Sequence, residues 1–356
     1  MKGVTLVRTL IVFALVASCA STMTEPAQPG TRTYRMGASS LPPRLTIPEA
    51  LRTIDSMTHH SDAALMVVDI PWVALLADSS PSVLIRRDQL PVAQLYQQRG
   101  LPLIATLDAT NGLNRSAESD ALVKLGRSIT EPAVQRKYRA YVVAFDSILH
   151  PKYLALAMET NLVRTVAPAS LYAALVTMTN AAALEMRAAG STTQLMVSVQ
   201  VETAWGRLPA STFVGIQRDR TDFPFMQAIG LSSYPYLGGF NTPEEMPLDY
   251  YSRLSGTAPL PMLVVEGGWT SGAVTGVSSS PELQARYIRR QMQMADAAKL
   301  VGVFQITFTD LDLASFQLPP GSILPLFAKL GLLDVNYRPK PALSVWDSVR
   351  AIPLAQ

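Results

Sequence analysis

The chain is poor in the groups on which most metal and cofactor chemistry is built. It holds one cysteine, Cys19, in 356 residues, so no disulfide can form within it. Its three histidines are His59, His60 and His150. None has the spacing of a zinc site, and the first two fall at the end of a helical stretch, where histidines usually cap or face solvent. No G-x-G-x-x-G or P-loop follows the first apolar run, where the sequence reads Ala38-Ser-Ser-Leu-Pro-Pro43. That argues against a nucleotide-binding open sheet. No G-x-S-x-G elbow is present either, which leaves a serine hydrolase of the α/β type unsupported. Only 16% of residues are charged, and no basic patch is interleaved with aromatics, so nucleic acid is not an expected partner. No metal and no cofactor is expected.

What is present begins at the N-terminus. Lys2 and Arg8 precede an apolar run, Leu10–Ala17, too short to span a bilayer. Val16-Ala17-Ser18-Cys19 follows, and it resembles the lipobox of bacterial lipoproteins, in which the cysteine is acylated and becomes the first residue. This reading gives a signal peptide over 1–18, lipidated Cys19, a Ser/Thr/Pro/Gly-rich tether over 19–32, and one folded domain over 33–356. The alternative is an ordinary secretory signal with an incidental cysteine. Either way the chain is exported; with lipidation it is held in the bacterial envelope, at the outer membrane or on the periplasmic face. Removing Lys2 and Arg8 with the leader lowers the formal charge from +3 to +1.

From residue 33 onward, eight short apolar runs alternate with helical patterns. The runs are Thr33–Gly37, Ala64–Asp69, Leu101–Asp108 and Tyr153–Glu159, then Gln194–Val201, Ala228–Tyr234, Met262–Glu266 and Val301–Thr307. They are near-continuously apolar, as parallel strands buried on both faces are. Helices are expected over Ile47–Thr58, with Thr46 as N-cap and Pro48 in the first turn, over Ser170–Ala189, and over Pro281–Leu300 after Ser280. Asp120–Leu149 has room for a short helix and a long one, whereas Ser211–Phe223 is poorly defined. Eight strand–helix units without a nucleotide turn predict a single-domain α/β fold, a (β/α)8 TIM barrel.

In such a barrel the C-terminal strand ends form the functional face. The polar residues that end these runs are Asp69, Asp108, Glu159, Glu202, Tyr234, Glu266 and Asp310. An acid after five or six apolar residues is not needed for packing and is costly to bury unpaired. Several acids on one mouth, with no metal ligands, point to acid/base or nucleophilic carboxylate chemistry.

Ala157-Met-Glu-Thr-Asn161, Gly230-Leu-Ser-Ser-Tyr-Pro-Tyr236 and Val264-Val-Glu-Gly-Gly-Trp269 resemble the clan A glycoside hydrolases. The nearest likeness is to the family 53 endo-β-1,4-galactanases, which have a similar tyrosine-proline-aromatic turn after strand six. The resemblance implies a retaining hydrolase of β-linked poly- or oligosaccharide. Glu159 would be the general acid/base, Glu266 the nucleophile, and Tyr234 a hydrogen-bond partner of Glu266. Such a mechanism needs the two carboxyls about 5–5.5 Å apart, one protonated and one ionised, and Glu159 is the one expected to be raised.

The clan's usual asparagine before the acid/base is replaced by Met158, which leaves activity in question, with Asn161 as a possible substitute amide. Its usual strand-eight tryptophan is replaced by Phe308-Thr-Asp310. Trp72, Trp205, Trp269 and Tyr236 are candidate sugar platforms, though aromatics at a barrel rim are as often packing. Asp69 and Glu202 are weaker candidates for substrate contact. Against catalysis stands a structural ion pair between a glutamate and a loop arginine such as Arg164 or Arg207. The Met158 substitution motivates a second reading, an inactive barrel kept as a carbohydrate-binding or interaction module. A lyase or isomerase is a third, but it would want a metal or further basic residues.

Overall fold

The computed structural model describes residues 30–208, 212–256 and 259–355. The expected signal segment and Cys19 lie outside them. Strands β1 (Arg35–Ala38), β2 (Ala64–Asp69), β3 (Leu103–Asp108) and β4 (Tyr153–Ala155) are followed by β5, whose two halves, Gln194–Met196 and Ser198–Gln200, are separated by Val197. β6 (Ile229–Ser233), β7 (Met262–Gly267) and β8 (Gly302–Gln305) complete the set. All pairings between them are parallel.

Each strand pairs with its successor, and β8 returns to β1 through Arg35 opposite Gly302. The first half of β5 pairs with β4 and the second half with β6. Between β1 and β2 the ladder thins to one bridge, Ser39 to Leu65, and an Asp62 N–H to Met36 carbonyl bond of 2.7 Å. The ring is a (β/α)8 barrel. Its loosest seam lies between β1 and β2, where Val67 is 41% exposed.

Two apolar layers hold this ring. Inside it, Leu65, Ile104, Ala155, Met196, Leu263 and Phe304 from different strands fill the floor, with Met158 beside them. Outside it, a larger core joins the strands to the surrounding helices. The helices begin where their caps dictate. Thr46 Oγ1 accepts from Glu49 N–H at 3.4 Å ahead of Ile47–Thr58, and Ser280 Oγ accepts from Leu283 N–H at 3.2 Å ahead of Pro281–Ala298. Asp120–Lys124 and Pro132–Leu149 are the short and long helices expected, and Ala169–Ala188 is the alanine-rich one. The poorly defined fifth unit holds a six-residue helix, Gln217–Asp222. None of the described helices is long and apolar enough to cross a membrane.

Two expected strands end early by two residues or more. β8 stops at Gln305 rather than Thr307. β4 leaves its ladder after Ala155, because Glu159 turns into the helix Thr160–Val166 with φ 47° and ψ 45°. That left-handed conformation costs a residue with a Cβ about 1 kcal/mol or more, and it persists where surrounding contacts fix it. Here Glu159 N–H donates to Ser198 Oγ at 2.8 Å.

Gly267, directly after Glu266, has φ 148°, and a Cβ there would lie 2.3 Å from the carbonyl oxygen of Ser233. Its missing side chain lets β7 run against β6. Gly267→Ala should lower unfolding stability by about 2–3 kcal/mol. A urea midpoint equal to that of the parent chain would contradict this account.

Candidate active site

The C-terminal strand ends open into one cavity of about 360 Å³. Glu159, Gln200, Tyr234, Glu266 and Thr307 line it from the ends of β4, β5, β6, β7 and β8. Two acids 107 positions apart in the sequence thus share a single space. Ser232 stands opposite Glu266 in the β6–β7 register, and its hydroxyl donates to Glu159 Oε1 at 2.6 Å. Tyr234 OH donates to Glu266 Oε1 at 2.8 Å.

A loop cation completes the group. Arg115, from the segment after β3, donates through Nε to Glu159 Oε2 at 2.8 Å and through Nη1 to Asp108 Oδ2 at 2.6 Å. All three side chains are buried. Asp108 is further fixed by the backbone N–H and hydroxyl of Thr110. Removing one partner from such a buried pair leaves an uncompensated charge, so the three act as a unit.

Glu266 has its ionisation pushed up, to about 8. Burial is the largest cause and the neighbouring Glu159 charge the next; Arg115 and the Tyr234 hydrogen bond pull the other way. Glu159 faces the guanidinium directly. Glu266 instead meets the Tyr234 hydroxyl.

Several sequence candidates lie elsewhere. Asn161 spends its amide on the backbone of Gln200, donating to the carbonyl at 2.8 Å and accepting from the N–H at 2.7 Å. Met158, which precedes Glu159, points into the barrel floor. Trp72 is buried against Tyr138, and Trp269 is buried with its Nε1 donating to Ser279 Oγ at 3.0 Å. Trp205 stacks on Tyr250 at 5.0 Å, and Tyr236 OH is tied to the Leu326 carbonyl. None of these four aromatics lines the cavity, so they are packing elements of the rim rather than platforms within it. Asp69 lines the separate crevice at the β1–β2 seam. Of the arginines weighed as partners of a glutamate, Arg164 pairs with Asp219 and Arg207 with the Gly238 carbonyl. Asp310 pairs with Lys340.

Arg115, Ser232, Gln200, Thr307 and Phe327 are the site residues that sequence reasoning missed. Ser232 stood within the Gly230–Tyr236 segment, but its neighbour Tyr234 drew the attention. Arg115 lies in a polar loop, where no periodicity marks which charge turns inward. Among the described residues, no cluster of His, Cys, Asp and Glu has the makings of a metal site.

No family model matches the chain, and no curated protein matches it in sequence. Solved structures do. An exo-β-1,4-mannosidase from Opitutaceae bacterium strain TAV5 overlays with a TM-score of 0.67 at 16% identity, over 91% of this chain and 60% of that one. Xylanase 10B from Thermotoga maritima overlays at 0.58 and 14%, over 89% and 95%. A family 39 glycoside hydrolase from Bacteroides cellulosilyticus WH2 overlays at 0.59 and 14%, over 89% and 63%. The chain spans 60% of the mannosidase and 50% of a β-glucuronidase from an uncultured Clostridium. At these identities what is shared is the fold, a (β/α)8 barrel.

Glu202 is a carboxyl of a different kind. It is fully buried beneath the cavity wall and accepts from Gln200 Nε2, Tyr234 N–H, Tyr250 OH and Ser233 Oγ. These four donors favour its charge, but burial outweighs them and pushes its ionisation up to about 7. An acid raised on folding stabilises the fold below its unfolded value, and that contribution is lost as pH rises through the folded one. Melting temperature should therefore fall as pH rises from about 4.5 to about 7, and Glu202→Gln should flatten that slope. A variant as pH-sensitive as the parent would remove Glu202 from this role.

Proposed function

We propose that the protein is a glycoside hydrolase of the retaining kind, acting on β-linked glycosides, with Glu159 as acid/base and Glu266 as nucleophile. The observation that carries this reading is the convergence of the two glutamates on one cavity, with Tyr234 donating to Glu266. The sequence words around them and the glycoside hydrolases that share the fold support it. A galactan-like substrate is the narrower reading that the likeness to family 53 adds.

Retention needs an ionised nucleophile and a protonated acid. Both Glu159 oxygens are engaged, Oε1 by Ser232 and Oε2 by Arg115, so one must be released before Glu159 can protonate the leaving oxygen. Freeing Glu159 from Arg115 is the step that allows it, since the guanidinium stabilises the anion of whichever acid it faces. The same ion pair, together with Met158, favours one alternative, a barrel that binds a glycoside without cleaving it.

Product stereochemistry separates the roles. On an activated aryl β-glycoside, Glu266→Gln and Glu159→Gln should each lower kcat about a thousand-fold. Azide should rescue Glu266→Ala with an α-glycosyl azide and Glu159→Ala with a β-glycosyl azide. Full activity in either glutamine variant would end its assignment. Glycoside binding with no turnover by the parent chain would favour the binding module.

We further propose that the chain is exported and anchored by lipid on Cys19, on the strength of the Val16–Cys19 segment and its basic, apolar leader. In a bacterial host, Cys19→Ser should move the protein from the membrane fraction to the soluble one. Unchanged membrane association would exclude the anchor.

A further inference from the structure

The walls of the cavity are unlike its floor. The floor is polar and comes from strand ends. The rim comes from the loops beyond them and, Asn114 apart, is mostly aliphatic or aromatic: Leu41 after β1, Leu113 after β3, Val166 after β4, then Ile323, Leu324 and Phe327 after β8. Leu41, Leu113, Val166 and Ile323 are among the large apolar side chains that remain open to solvent, between 37% and 41% exposed. Exposed apolar groups scattered singly mean little, but several converging on one cavity mark a binding surface. Phe327 is held there by an edge contact with Tyr234, 4.8 Å between centroids.

The polar groups suffice for one sugar ring and little more. Arg115 is committed to Asp108 and Glu159, Gln200 Nε2 to Glu202, and Tyr234 OH to Glu266. Thr307 is 2% exposed and lines the cavity, yet its Oγ1 has no partner among the described residues. A buried hydroxyl left unpaired is costly, so it marks a place for a ligand oxygen. Each further sugar of a glycan would bring several hydroxyls against leucine and isoleucine, where they would lose water without gaining a partner.

Resting on the glycosidase reading, we infer that the substrate is a single β-linked sugar joined to an apolar aglycone, with the sugar on the glutamates and Thr307 and the aglycone in the aliphatic rim. An alkyl or prenyl chain, free or carried by a lipid, has the required chemistry. Cleavage breaks the bond from the anomeric carbon to the aglycone oxygen. Glu159 protonates that oxygen, water supplies the hydroxyl of the released sugar, and the apolar alcohol departs.

The test compares n-octyl β-glucoside, β-galactoside and β-mannoside, below their micelle concentrations, with the methyl β-glycosides and β-1,4-disaccharides of the same sugars. For the preferred sugar, kcat/KM for the octyl glycoside should exceed both others at least tenfold. The octyl-to-methyl ratio should fall towards one in the Leu113→Asn/Ile323→Asn variant, whose changes lie on half-exposed positions. A disaccharide as good as the octyl glycoside, or a ratio unmoved by the variant, overturns the inference while leaving the hydrolase reading intact. If nothing is hydrolysed, calorimetric binding decides. Octyl glycoside bound more tightly than both methyl glycoside and n-octanol, and weakened by the variant, keeps the inference while the hydrolase reading fails. Binding no tighter than either, or unaffected by the variant, overturns it.

Discussion

One buried guanidinium governs the mouth of this barrel. Asp108, Glu159 and Glu266 are brought to one place by the ends of β3, β4 and β7, and three carboxylates cannot all ionise there without a cation. Arg115 touches two of them, and its charge also lowers the cost of ionising the third. Glu266 instead holds the Tyr234 hydroxyl, and burial with the Glu159 charge pushes its ionisation up. The loop after β3 thus sets the charge around both glutamates. The residues around it are fixed accordingly. Thr110 and Asp108 brace the arginine from below, and the left-handed turn at Glu159 aims its carboxyl across the mouth.

The fold was legible because a barrel strand buried on both faces is largely apolar along its length, and most of the eight runs are. The acids that end those runs were legible for the same reason, since a charge after an unbroken apolar stretch has no packing role. Strand ends were read less well. The run Tyr153–Glu159 is uniformly apolar up to its glutamate, so nothing in composition marks where the hydrogen-bonded ladder stops and the turn begins. Val197 gives no sign of dividing β5 either, because a β-branched residue belongs in a strand.

The aromatics were misread for a physical reason. A tryptophan near a strand end has two ways to bury its ring, in a ligand site or between barrel and helices, and sequence position does not separate them. Trp72 and Trp269 take the second course, and Trp205 packs on Tyr250 beneath the loops. The cavity is left to residues whose spacing carries no signal, such as Leu113, Ile323 and Phe327, all contributed by loops. Arg115 was passed over for Arg164 and Arg207 for the same reason. Each of the three arginines found an acceptor, and only three-dimensional proximity decides which found Glu159.

Arg32 has a consequence for how the molecule presents itself. Buried just ahead of β1, it donates to the carbonyls of Tyr34, Arg350 and Ile352, pairs with Asp62, and bridges to Leu354. Both ends of the domain are therefore stitched together at the N-terminal side of the strands, a barrel's height from the glutamates. The described chain thus begins on the underside, opposite the opening that holds the glutamates.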